Sequence, residues 1–481
     1  MKKNVFTTVT IIFIALIVVL AANSREYHYE FSSADCISIS YIYPTEQEDD
    51  MMANPSYQAF DHVLSEWGKN HPEINIEKYT YLPSQYNSQI SCQAAIQKLP
   101  DIFVYQQCNT KAWTDMGLLL NVSDATFDYD ESNLKPLTRD GEVYGFPAYN
   151  ISASIICYDE TELKKLGYKE FPITWSELFS AEKKFEEARN INNDSSLKNQ
   201  SISNCLISFG SGKDSANASA RDVLFTLWGR KMGTKWLDDM ITGDLKSSFI
   251  NSDFIDTVDE TGDLLCSGIF NKDFNVINNR TARERFISGE TPAYLGSITD
   301  AEYIMKRLKG TNRYKSLRFS ELPEDSGETN SSSICAGFDY ALGINNNANT
   351  RKIELLKDLC RTLTGQIYSD EAWNTMPIYG TTKPENNSLS AFDEVQKSLY
   401  HAVYDCTHTP MYSSYLDAAV NDSLNMGYFV DGKMKLLEYQ KEISEMEIAR
   451  KENPPHVTTA RDYAYRLQDA YEANYLTRAG Y

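Results

Sequence analysis

Apolar and polar positions alternate from Ile37 to Tyr43, the period of a strand with one buried face. From Ser56 to Lys69 the period lengthens, and Tyr57, Phe60, Val63, Leu64 and Trp67 share one helical face. Ile74 and Ile76 begin a second strand, and Ile102 to Tyr105 reads as a third. Helices between these strands make βαβ units, so the pattern predicts an α/β fold with a largely parallel sheet. Asp159 with Glu162, and Thr174 with Glu177, have the spacing of capping boxes and mark two helix starts. Residues 190–204 are rich in Asn, Ser and Asp and read as a surface loop. A mainly helical region follows over 219–290, and 322–334 is polar and turn-rich, as a crossing between lobes would be. From about 350 the pattern is helical to the end, with 451–481 expected as a polar helical C-terminal extension. No internal repeat is visible.

The N-terminus carries an address. Lys2 and Lys3 precede an apolar run from Val5 to Ala22, so 1–22 reads as a signal peptide or a membrane anchor. The lysines favour a cytoplasmic N-terminus and send the rest of the chain outside. Residues 23–35 are polar and serve as a linker.

Charge and motifs narrow the function. The 481 residues include 46 basic and 67 acidic side chains, a formal net charge of −21. Such a surface cannot neutralise phosphates, which excludes a nucleic-acid partner. The nine cysteines form no Cys-x-x-Cys pair, and the six histidines form no ligand-spaced cluster, so neither a metal nor a cofactor is expected. There is no Gly-x-Ser-x-Gly elbow, no His-Glu-x-x-His and no phosphate loop.

A series of short motifs, in order, carries a resemblance. Leu99-Pro100-Asp101-Ile102-Phe103-Val104 is followed by Trp113, Gly117-Leu118-Leu119-Leu120 and Asp124. Asp140 to Tyr149 then makes a tight turn and short strands, and Phe171-Pro172-Ile173-Thr174-Trp175-Ser176-Glu177-Leu178 opens a helix. Phe286 to Ser297 forms a helix end and a strand, and Pro410 to Val420 leads to Gly432 and a helix. This series resembles the extracellular solute-binding proteins of ABC importers, of the carbohydrate type that includes maltose-binding proteins. It covers nearly all of the chain after the apolar run. Departures are Ser297, where the family often carries an aromatic, and Gly229 to Gly233 in place of a Gly-Gly pair. Cys36 is also too far from the apolar run for a lipobox. These leave the ligand class open.

The resemblance implies a two-lobed periplasmic-binding-protein-like fold. Each lobe would be a mostly parallel sheet flanked by helices, with ligand held in the cleft between them. It places 36–147 and 297–336 in the N-terminal lobe, and 148–296 and 337–450 in the C-terminal lobe. It implies a monomer that captures a small solute, a sugar or oligosaccharide, by hinge closure and presents it to ABC permease subunits, with no chemistry of its own. Ligand contacts would come from loops after strands. On that basis the expected residues are Tyr43, Tyr105, Gln107, Asn109, Tyr149 at the crossing, Tyr294, and Tyr412 and Tyr415 on the late helix. Trp228 is expected in a core and Trp175 in packing at a helix start. One alternative is a membrane-tethered sensor that partners a receptor kinase. The other is a secreted glycoside hydrolase, which needs two carboxylates across a bond that no motif singles out.

Overall fold

The structure is a computed structural model. It describes residues 36–43, 55–149, 152–192, 205–211, 218–233, 236, 248–274, 276–324, 333–338, 340–375, 392–404, 407–409 and 459–478. The apolar run and linker at 1–35, most of the polar stretch at 190–204, and Tyr412 and Tyr415 lie outside the described residues. Among the described residues no helix is long and apolar enough to cross a membrane.

The first lobe begins as the periodicity predicts. Strand β1 (Cys36–Ile42) leads to helix α1 (Pro55–Asn70), β2 (Asn75–Tyr81), α2 (Pro83–Ala95) and β3 (Ile102–Gln106). β1 pairs in parallel with β2 on one side and β3 on the other. The apolar face of α1 is sealed, with Phe60 and Leu64 at 0% exposure. A small hairpin, β4 (Thr138–Arg139) and β5 (Glu142–Val143), turns on Asp140 and Gly141, both at positive φ. β6 (Phe146–Ala148) then joins the far edge of the same sheet.

From there the chain enters the second lobe. β7 (Ser152–Asp159) is a long strand in a different sheet. Asp159 caps the next helix by accepting from the Thr161 amide at 2.9 Å. At α3 (Trp175–Asn192), Thr174 and Glu177 make the reciprocal bonds of a capping box. β8 (Ile207–Ser208), α4 (Ala218–Met232), α5 (Ser252–Leu265), α6 (Asn279–Ser288), β9 (Ala293–Ser297) and α7 (Ile298–Leu308) follow. Trp228 on α4 is fully buried and Trp175 packs at the edge of the same core, as expected of both.

The return to the first lobe comes later than expected. β9 lies between β7 and β8, and β10 (Leu317–Ser320) and β11 (Ser333–Gly337) both pair antiparallel with β7. The described residues of 297–336 therefore belong to the second lobe, and β9 does not lead back to the first. The chain crosses between Gly337 and Tyr340, where β12 (Tyr340–Ile344) enters the first sheet between β3 and β6. Helices α8 (Ile353–Thr364) and α9 (Gln366–Thr375) pack on α1, so 340–375 is first-lobe structure rather than second. The physical reason is that a fully buried strand shows the same apolar run in either sheet.

The sheets are of mixed direction, in the orders β2-β1-β3-β12-β6 and β13-β11-β7-β9-β8, with β13 at Thr407–Thr409. β7 and β12 each enter straight from a crossing with no intervening helix, and so run antiparallel to their neighbours. α10 (Glu394–Tyr404) packs on β10.

The C-terminal segment is not an appendage. α11 (Ala460–Arg478) buries Tyr463, Ala464 and Leu467 completely in the second-lobe core, with Tyr463 edge-on to Trp228 at 6.4 Å. Gln468 Oε1 accepts from the Phe249 amide at 2.8 Å. The spacing 460, 463, 464, 467 is a helical apolar stripe, visible in the sequence beneath a polar average.

Candidate functional site

The crossings after β6 and before β12 both meet the first lobe at one end of its sheet; a further crossing must separate first-lobe α9 from second-lobe α10. β1, β2 and β3 are parallel, and β6 runs with them against β12. Their C-terminal ends, together with the first residue of β12, therefore lie in a row: Tyr81, Ile42 with Tyr43, Gln106, Tyr340 and Ala148. In the second sheet the row facing the crossings is Ser297 with its partner Ser154, then Ser152 opposite Gly337, read from the registers of β9, β7 and β11; Ser208 of β8 pairs with Tyr294, three residues back from Ser297. Ligand sites of open α/β sheets form at such carboxyl ends.

Tyr43 is half-buried on the first row, with its ring 6.5 Å edge-on to Tyr41 and its amide bonded to the Tyr81 carbonyl at 3.1 Å. Tyr81, which sequence reasoning missed, is also half-buried, and its hydroxyl accepts from Gln93 Nε2 at 3.2 Å. Tyr340, missed as well, is half-buried at the start of β12. It escaped because it begins a strand, and the rule of looking after strand ends fails where a strand runs antiparallel. After β3 a 3-10 turn (Gln107–Asn109) folds back, and the Gln107 carbonyl accepts from the Thr110 hydroxyl at 2.5 Å. Gln107 is thereby buried at 3% exposure, while Asn109 reaches solvent.

The structure removes three of the expected contacts. Tyr105 is fully buried, stacked on Trp113 at 5.4 Å, with its hydroxyl donating to the Tyr144 carbonyl at 3.2 Å. Tyr149 is 2% exposed, with its ring among Tyr57, Phe60 and Tyr340. Tyr294 is fully buried and donates to Asn279 Oδ1. Burial holds the Tyr149 and Tyr294 phenols well above the usual value, so both stay neutral. Tyr105 and Tyr149 sit beside the carboxyl end of a strand as expected, but their side chains point into a core; Tyr294, expected to end its strand, is instead the second residue of β9.

On the second row a polar cluster takes up the hydroxyls. Asp300, at the start of α7, accepts from the Ser297 amide and hydroxyl at 3.0 and 2.9 Å and from Asn279 Nδ2. It also pairs with Arg283 at 2.9 Å, both side chains being at most 5% exposed. The Arg283 guanidinium lies 3.7 Å over the Tyr303 ring. Ser297, in place of the family's aromatic, is thus the N-cap of α7. Among the described residues, no group of three or more His, Cys, Asp or Glu is placed to hold a metal ion.

Two α/β lobes, joined by crossings at the carboxyl ends of the first sheet, define a two-lobed solute-binding protein. The model of the bacterial extracellular solute-binding protein family matches residues 65–335, more than half of the chain, and the chain belongs to that family. No curated protein matches the sequence. Among solved structures, a chitin oligosaccharide binding protein superposes with a TM-score of 0.62 at 15% identity, over 92% of this chain and 99% of the other. A family 1 extracellular solute-binding protein from Bifidobacterium longum subsp. infantis gives 0.61 at 19% identity, over 91% and 99%. The sugar-binding protein MalE from Xanthomonas citri gives 0.63 at 11% identity, over 93% and 100%. The family and these neighbours are binding proteins rather than enzymes. At these identities the superpositions establish the fold.

Proposed function

We propose that the chain captures a carbohydrate, a sugar or short oligosaccharide, between its lobes and delivers it to an ABC permease on the outer face of the membrane. The observation that carries this reading is the first-lobe row, where half-buried Tyr43, Tyr81 and Tyr340 stand at adjoining strand ends with Asn109 nearby. Aromatic faces suit the apolar C–H face of a sugar ring, and a partly exposed amide suits its hydroxyls. The sugar-binding neighbours support the same ligand class. Tyr412 and Tyr415 complete the proposed contact set from outside the described residues. The apolar run at 1–22 directs export and either anchors the chain or is cleaved. Closure of the lobes gives the permease a form to recognise.

Isothermal calorimetry of the purified chain tests the ligand class, with chito-oligosaccharides, maltotriose and galactose set against amino acids and oligopeptides. Saturable heat with a saccharide supports the reading. Binding confined to a peptide or amino acid sinks it.

A further inference from the structure

The first crossing leaves β6 through a residue in an unfavourable conformation. Tyr149 has φ of +62°, in the left-handed region that a bulky L-residue rarely adopts. Such a conformation persists only where its surroundings over-determine it. Here they do. The Ile42 amide, at the end of β1, donates to the Tyr149 hydroxyl at 3.1 Å. The ring lies 4.9 Å from Tyr57 and 5.1 Å from Phe60, both on α1. On its other side it meets Tyr340 edge-on at 6.1 Å. Tyr340 is the first residue of β12, just past the second crossing, and its backbone pairs with Ala148. One side chain thus ties the crossing after β6 and the crossing before β12 to each other and to the first-lobe core.

We infer that Tyr149 is the positioning residue of the hinge. It holds the exit of the first crossing and the entry of the second as one rigid seat, about which the second lobe turns. A solute can select a closed state only if open and closed are discrete arrangements, and a loose seat would replace them with a continuum. The unfavourable φ fits this role, because it turns the chain sharply out of the first sheet while the ring stays behind in the core. The inference rests on the reading that the lobes close on a solute.

The test places nitroxide labels on genetically encoded keto side chains at Ile96 of the first lobe and Val276 of the second, both well exposed. Distance distributions are then measured by pulsed electron resonance without solute, so a chain that binds no sugar still answers. Tyr149→Phe keeps the ring and leaves the buried Ile42 amide without its acceptor. Tyr340→Leu removes the ring contact between the crossings. Each is expected to broaden the distribution about twofold. Phe103→Leu, in the same core but away from the crossings, is expected to lower the melting temperature and leave the width unchanged. Unchanged width in both crossing variants overturns the inference. So does equal broadening by Phe103→Leu, which would make Tyr149 an ordinary core residue.

Discussion

Lys352 reaches Asp101 across 251 residues of sequence, Nζ to Oδ2 at 3.3 Å, with both side chains at most 7% exposed. The same oxygen accepts from the Ser38 amide and hydroxyl, and Lys352 also donates to the Cys36 carbonyl. The Asp of the Pro-Asp motif is therefore a staple at the foot of β1 and β3, at the end of the sheet away from the crossings. It binds the returning segment that carries α8 into the first lobe.

Lys352→Leu is expected to destabilise the chain by about 3–5 kcal/mol, because it strands a buried carboxylate. Urea unfolding measures it. Lys352→Leu combined with Asp101→Leu should recover part of the loss, since removing both charges also removes the uncompensated burial.

Removing the C-terminal helix tests its place in the core. Tyr463→Ala should cost about 3–5 kcal/mol, the range for emptying a buried aromatic site. Ending the chain before Ala460 should expose Trp228, seen as dye binding to apolar surface and a lower melting temperature. A segment that merely hung from the surface would leave both unchanged.

The aromatic row separates binding from folding. Tyr81→Ala and Tyr43→Ala should each weaken the affinity for a saccharide found by calorimetry about three- to tenfold, from the loss of a ring contact worth about 0.5–1.5 kcal/mol. Tyr105→Phe should lower stability and leave affinity unchanged, because its ring is fully buried and its hydroxyl donates to the Tyr144 carbonyl of the same lobe.

Asp273 and Arg285 give a small acid dependence. Bonds from Arg285 hold the Asp273 carboxyl below the ordinary carboxylate value. A depressed folded value means that the stabilisation is complete above the unfolded carboxyl's value and is lost as pH falls through the folded one. The carboxylate is 43% exposed, so the term is about 1 kcal/mol at most after solvent screening. Asp273→Asn should lower stability at neutral pH by that amount and match the parent chain in strong acid, followed by thermal unfolding across pH 2–7.

Much of the fold is legible along the chain. The alternation at Ile37 to Tyr43, the stripe on α1, the caps at Asp159 and Thr174 and the turn at Asp140 each have a local cause, so each can be read from neighbours in sequence. The site is legible only in part. Tyr43 and Asn109 reach solvent, whereas Tyr105 and Tyr149 stand at the same kind of position with their rings turned inward, and Tyr294 lies buried near the start of β9.

The sequence by itself determined most element types and the family, because period, capping and turn chemistry are local. Only the tertiary structure decided which sheet β9, β10, β11 and β12 join, that α11 packs into the second core, and which tyrosines are buried. Periodicity says which face of an element is apolar. What covers that face depends on partners as much as 251 residues away, and those are chosen by packing the whole chain at once.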